Sequence, residues 1–320
     1  MATVTAEPVI VEGLPTVCTF ETISKEDFVH WYIIHKKLFE ELILKTGGIL
    51  FRGIAMDDLV DFEFVTESLF NKFISYIDGF SPRTKLSKSI YTSTEYDADF
   101  RITLHNELSF SHIWPSKLIF FCVTPAPEGG ATTLADCRQI LKNLDAALLA
   151  EFEQKRVMYI RNLHGGNGLG PSWQQTYETS DKAVVEQFCK NGGTEFSWRE
   201  NNSLHIIQRK PATIKHSQTG EKLWFNQVDQ FHPSQLNKEI HDTLIELYDG
   251  NETLLPMYGC FGDGSRITQD QIDLLRSGID QCSVPLLWSK GDLLIIDNEV
   301  LSHGRLPYKG NRKILVAMTQ

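Results

Sequence analysis

From Arg101 onward the chain is cut into short β-rich runs by Gly, Pro and Asn turns, and no other feature constrains its fold as tightly. After an apparent strand at Arg101 to Leu104, the runs are Leu118 to Val123, Arg156 to Leu163, Ser203 to Gln208, Lys222 to Phe225, Val284 to Trp288, Leu293 to Ile296 and Lys313 to Met318. Such a series suggests a sandwich or barrel. Three helices are expected to interrupt it, at Ala135 to Lys155, Asp181 to Lys190 and Thr268 to Gln281, the last opened by a Thr/Gln capping pattern. The first quarter reads differently. After a short N-terminal arm, Glu26 to Lys45 carries Phe28, Trp31, Tyr32, His35, Phe39 and Leu42 at helical spacing, and Gly47-Gly48 stops it. A strand at Ile49 to Arg52 and a second helix from Asp57 to Ile77 follow. With no repeat, linker or low-complexity segment, residues 1–320 read as one domain: helical cover over 1–80, and a β core with helical insertions over 81–320.

Composition narrows the function classes. An apolar share of 42% with 22% charged residues belongs to a soluble, core-forming chain. Forty-one acidic against 31 basic residues give a net charge of −10, which repels a nucleic-acid backbone. Met1 to Leu14 lacks a basic, then apolar leader, and no uncharged run approaches the roughly 18 residues a membrane helix needs, so a cytoplasmic protein is expected, with neither nucleic acid nor membrane as partner. Six cysteines without a CxxC pair read as reduced thiols filling core or surface.

The chemistry concentrates in a few residues. His105-Asn106-Glu107 stands at the exit of the Arg101 to Leu104 strand, where alternation sends 105 and 107 to one face. An HxE tripeptide alone is a weak signal, and most lone histidines are structural. A third ligand would complete a facial triad of two imidazoles and one carboxylate, which suits iron(II) with open positions. His303 is the leading candidate, delivered late in the chain by the turn and buried strand from Gly291 to Asn298. Nine residues on, Arg312 opens another strand and can bring a guanidinium into the same cavity, where its fork suits a ligand carboxylate.

Four blocks in order carry a resemblance: His105-Asn106-Glu107-Leu108-Ser109-Phe110, Pro115 to Cys122, Gly129-Gly130-Ala131-Thr132-Thr133-Leu134-Ala135-Asp136, and Gly291 to Asn298 with His303 to Tyr308 and Arg312. Together they resemble the iron(II)/2-oxoglutarate dioxygenases of the taurine dioxygenase (TauD/TfdA) family. The glutamate at 107 and the Trp224-Phe225-Asn226 segment look most like its clavaminate synthase-like, SyrP-like branch. The resemblance implies a mainly β fold with helical cover, a cupin-like double-stranded β-helix or jelly roll. It implies His105, Glu107 and His303 as iron ligands, with Thr132 and Arg312 holding 2-oxoglutarate. The cofactors implied are Fe(II), 2-oxoglutarate and O2, and the reaction is hydroxylation of an unactivated C–H bond coupled to release of succinate. The chain departs from the family pattern in two places: Thr133 follows Thr132 where proline is common, and Val316 stands where many members carry a second arginine.

The branch points to an amino acid or amino-acid-derived small molecule as substrate, free or bound as an aminoacyl group to a carrier protein. A non-amino-acid substrate, desaturation and ring closure stay open, as does a cupin-like binding protein that retains a metal without turnover. Arg305 either holds a substrate carboxylate or, the preferred reading, orients Glu107 or Asp297. Asn226 is a polar hook into the cavity or a turn-stabilising residue. Ser109, Ser111 and His112 are candidates for a lid, with His112 more simply a loop histidine, and Arg52 and Arg83 are read as possible surface ion pairs. Gly165 to Gly170 imitates a phosphate loop without its Lys-Ser/Thr, and is read as a loop over the barrel mouth.

Overall fold

Leu293-Leu294-Ile295-Ile296 is apolar at every position, a pattern a strand needs only when both of its faces are covered. The computed structural model, which describes residues 8–320, has both faces covered. Leu293–Asp297 lies at the centre of a seven-stranded sheet ordered Val9–Val11, Thr16–Ser24, Gly48–Ala55, Leu293–Asp297, Lys117–Thr124, Lys313–Thr319 and Ile90–Thr92. Every pairing in it is antiparallel except Thr16–Ser24 on Gly48–Ala55. Leu293 and Ile295 pack against a helical layer that includes Phe28, Tyr32, Phe39 and Phe62. Leu294 and Ile296 face the other way, into a core shared with Phe120, Leu134, Leu301 and Val316.

Opposite that inner face lies a four-stranded antiparallel sheet, ordered Val284–Leu286, Thr132–Asp136, Leu301–Arg305 and Ile102–His105. These two facing sheets make the expected jelly roll, open as a sandwich instead of closed as a barrel. A further antiparallel sheet, Glu195–Trp198, Leu204–Lys210, Val157–Leu163 and Met257–Phe261, extends the core on one side.

Several expected elements take other forms. The 1–80 segment is only partly helical, since Thr16–Ser24 and Gly48–Ala55 are strands of the large sheet. Glu26 to Lys45 is two helices, Lys25–Ile34 and Lys36–Thr46, broken at His35, whose ring Nδ1 lies 2.9 Å from the Trp31 carbonyl. Gly47 ends the second helix at φ 79°, as its position suggests. The helix expected from Asp57 to Ile77 stops at Leu69, because Phe73 and Ile74 are drawn into pairing with Thr319 and Met318. Ala135 to Lys155 begins as the end of strand Thr132–Asp136. It then forms Cys137–Asn143 and Ala146–Lys155, each capped by an aspartate, Asp136 and Asp145. Gln269–Asp280 carries the capping box expected of Thr268 and Gln271. All six cysteines are free thiols and five are buried. No helix among the described residues is long and apolar enough to cross a membrane.

Candidate metal centre

Strand register builds the site. Leu301–Arg305 pairs antiparallel with Ile102–His105 so that His303 lies directly opposite His105, and cross-strand neighbours put their side chains on one face. Their rings stand 4.3 Å apart. The register shifts by a bulge between His303 and Arg305, where Gly304 passes so close that a Cβ would meet the Ile102 carbonyl at 2.5 Å. Glu107 sits just past the strand end, and its Oε2 is 3.8 Å from His303 Nε2. One ligand atom from each of His105, Glu107 and His303 lies within 4.8 Å of the others, and all three residues are buried.

The electrostatics suit a cation. His105 Nδ1 lies 2.9 Å from the Thr103 carbonyl, which makes it the protonated nitrogen and leaves Nε2 with a free lone pair. Burial pushes both imidazoles below their ordinary value of 6.5, and the neighbouring His105 and Arg83 push His303 further down. Two neutral imidazoles and a carboxylate are the donor set of a facial triad, so the residues present fit iron(II).

The backbone of the HxE segment is held by residues distant in sequence. Asn298, fully buried, accepts from the Glu107 N–H at 2.8 Å and donates to the carbonyls of Glu107 at 3.0 Å and Pro115 at 2.9 Å. The Asn298 carbonyl accepts from Asn106 Nδ2 at 2.6 Å. This bracket sustains the left-handed Leu108, at φ 57°, a conformation costing a branched side chain roughly 1–2 kcal/mol. Asp297 in turn accepts the Glu299 and Val300 N–H groups with Oδ1 and faces His216 Nε2 with Oδ2 at 3.2 Å.

That buried His216 also lies 3.7 Å from Glu299, and its pKa is raised, first by the hydrogen bond to Asp297 and then, against burial, by the charges of Asp297, Glu299 and Glu221. A raised folded-state value means the stabilisation is full below 6.5 and fades as pH climbs through the raised value. His216→Gln is therefore expected to cost about 1–2 kcal/mol at pH 6 and progressively less toward pH 9. Urea unfolding of both proteins across that range checks it, and a pH-independent difference would contradict the assignment.

Beside the triad is a narrow recess of about 30 Å³ lined by Arg83, His105, Phe120, Thr132, His303, Arg305 and Arg312, among others. Thr132, and not Thr133, lines it. Thr132 Oγ1 receives Trp288 Nε1 at 2.9 Å and Arg312 Nη2 at 3.4 Å, so its own proton is left to point elsewhere. Arg312 Nε donates to the Gly130 carbonyl at 3.0 Å. Among the described residues no carboxylate lies within ion-pair distance of Arg312, and burial, with Arg305 nearby, lowers its pKa to about 10. A half-buried guanidinium without a counter-charge, next to a hydroxyl with a free proton, fits one end of a dicarboxylate.

The other candidates take different roles. Arg305 touches neither Glu107 nor Asp297; it clamps the 94–100 loop through the carbonyls of Tyr96 at 3.1 Å, Asp97 at 2.6 Å and Phe100 at 2.8 Å. Asn226 is the turn-stabilising residue, bonded to the Ala212 carbonyl and the Val228 N–H. Ser109 donates to Gln227 at 3.2 Å, and neither it, Ser111 nor His112 lines the recess. Arg52 does not form the expected surface pair: it is half-buried and reaches the buried Asp292 at 3.2 Å. Arg83 departs further from a surface pair: its side chain is 2% exposed and pairs with Glu107. The glycine run meets the neighbouring cleft only at Gly170. Sequence reasoning missed Arg83, Trp288 and the bracketing role of Asn298, whose partners lie 24, 156 and 191 residues away.

Residues 12–319 match the taurine catabolism dioxygenase TauD, TfdA family. The chain is 31% identical to the dapdiamide synthesis protein DdaC of Enterobacter agglomerans over 97% of this chain and 92% of that one. It is 26% identical to a clavaminate synthase-like protein of Arabidopsis thaliana, over 88% and 84%. Among solved structures it is similar to PvcB of Pseudomonas aeruginosa, with a TM-score of 0.53 at 14% identity, covering 95% of this chain and 84% of that one.

Proposed function

The chain belongs to the TauD/TfdA family of iron(II)- and 2-oxoglutarate-dependent dioxygenases, and on that premise we propose that it hydroxylates an unactivated C–H bond of an amino acid or amino-acid-derived small molecule. The observation that carries the proposal is the convergence of His105, Glu107 and His303 beside a half-buried arginine that no carboxylate among the described residues pairs with. Iron(II) held there, with 2-oxoglutarate and oxygen, supplies an oxidant able to attack such a bond, releasing succinate and carbon dioxide. The chain's own share is binding, orientation and exclusion of water. Arg312 takes the distal carboxylate of 2-oxoglutarate, Thr132 donates its free proton to the same group, and Trp288 fixes the Thr132 hydroxyl. Glu107 keeps a carboxylate where a halide would otherwise need room, which favours hydroxylation over halogenation. The amino-acid assignment is supported by the branch resemblance and by the synthesis role in the name of DdaC. A cytoplasmic setting is part of the proposal and is supported by the free thiols.

Mass spectrometry of anaerobically reconstituted enzyme, started with oxygen, tests the reading on free amino acids and on the same set loaded on a carrier protein, with His105→Ala as blank. One added oxygen on a free member, matched by succinate, is expected. Turnover of the tethered set alone would move the substrate to carrier-bound groups, and loss of two hydrogens would replace hydroxylation by desaturation. Arg312→Gln is expected to raise the KM for 2-oxoglutarate about 10- to 100-fold, the worth of a charge-assisted bond, while iron binding is unchanged. An unchanged KM would remove Arg312 from the co-substrate.

A further inference from the structure

We propose that Arg83 is the anchor for an anionic group of the substrate, a carboxylate, presented from the larger cleft beside the metal recess. The inference rests on the functional reading above and narrows its substrate class to free acids. The Arg83 side chain is almost wholly buried, with Nη2 against Glu107 and its guanidinium 4.4 Å from the Tyr76 ring centroid. Its Nε and Nη1 are buried without a hydrogen-bond partner. Unpaired buried donors on a charged group are costly and are kept where a ligand completes them.

Position says which ligand. Among the described residues, Arg83 is the one that lines both the recess and an adjoining cleft of about 750 Å³. That cleft, walled by Tyr76, Phe80, Tyr91 and Tyr96, is of the size that takes a small organic molecule. Its other lining cation, Lys85, is already paired with Glu178 at 2.8 Å. The two carboxylates of 2-oxoglutarate are matched by the metal and by Arg312. Glu107 has to be shared between Arg83 and the metal, so the two unpartnered donors of the guanidinium are left for a second anion, and a planar carboxylate suits them better than any neutral group. A carboxyl converted to a thioester presents no anion, so the inference favours a free acid over a carrier-tethered one.

The test uses the full chain, ¹⁵N-labelled and loaded with Zn(II) and N-oxalylglycine. The Arg83 Nε–H resonance is identified by its loss in Arg83→Lys, and acetate and acetamide are then titrated separately. Acetate is expected to shift that resonance downfield to saturation, and acetamide to leave it in place. An unresponsive Nε–H, or equal responses to both probes, overturns the proposal. So does a resonance already shifted by N-oxalylglycine alone, since the anion would then be the co-substrate's. If N-oxalylglycine fails to move the Arg312 Nε–H as well, the functional reading falls and takes this one with it. In turnover, Arg83→Lys should raise the KM for the acid substrate about 10- to 100-fold and leave that for 2-oxoglutarate within a factor of about two. A rise confined to 2-oxoglutarate contradicts it.

Discussion

Asp78→Ala is expected to destabilise the protein by about 3–5 kcal/mol, the usual consequence of leaving a buried charge without its partner. Arg161, on strand Val157–Leu163, is completely buried and pairs with Asp78, itself completely buried. Its Nη1 also donates to the Asp78 carbonyl at 2.8 Å. Burial opposes the Arg161 charge, and its neighbours together, Asp78 foremost, more than offset that cost. Tyr177 and Gln208 donate to the same carboxylate at 3.2 and 3.0 Å, so its removal strips several donors at once. A second cost adds to the first. Asp78 sits at φ 72°, where aspartate and asparagine are tolerated and alanine is strained. Asp78→Asn keeps that backbone and isolates the charge, so it should cost less than alanine but still more than about 1 kcal/mol. Urea unfolding of the three proteins checks the order, and an alanine variant within 1 kcal/mol of the parent would contradict it. Because Asp78 begins the segment that carries Phe80 and Arg83 into the cleft, the alanine variant should also weaken substrate binding.

The parts legible in the sequence are those whose cause is local. Leu293 to Ile296 and Lys313 to Met318 announce strands covered on both faces, because burial by the helical layer and by the opposite sheet demands apolar residues at odd and even positions alike. His105 and Glu107 are two apart at a strand end, and His303 follows a turn and strand that aim it inward. What stayed hidden depends on partners far along the chain. Thr16–Ser24 places Thr16, Cys18 and Phe20 inward, a mixture of polarities that reads as an arm until Gly48–Ala55 is laid beside it. Helical periodicity runs through His35 and Leu144, and neither break carries the proline or glycine that would mark it. Arg83 gives no local sign of burial, since Glu107 and Tyr76 enclose it only in the folded chain. The same holds for Thr132, whose preference over Thr133 follows from its pairing opposite Arg305 and from Trp288 reaching its hydroxyl.

His303→Ala is expected to abolish turnover and weaken iron(II) binding by at least about 100-fold, while leaving the fold intact. Disturbing the outer partner of a ligand already costs about 10- to 100-fold in metal affinity, so deleting the ligand must cost at least the upper end of that range. The fold survives for electrostatic reasons. His303 is held neutral by burial and by His105 and Arg83, so its removal strands no charge. Glu107 keeps Arg83 as its counter-ion, and the His105 Nδ1 bond to Thr103 is untouched. Glu107→Ala differs in kind, because it leaves the Arg83 guanidinium buried beside two neutral imidazoles, and the loss of one member of a buried pair costs about 3–5 kcal/mol. The two variants should therefore separate: both lose iron, but only Glu107→Ala loses several degrees of thermal midpoint in the metal-free protein. Co(II) titration followed optically reads the first effect and calorimetry of the metal-free proteins the second. Retained metal affinity in His303→Ala would break the triad, and equal thermal midpoints for the two variants would break the claim that Arg83 depends on Glu107.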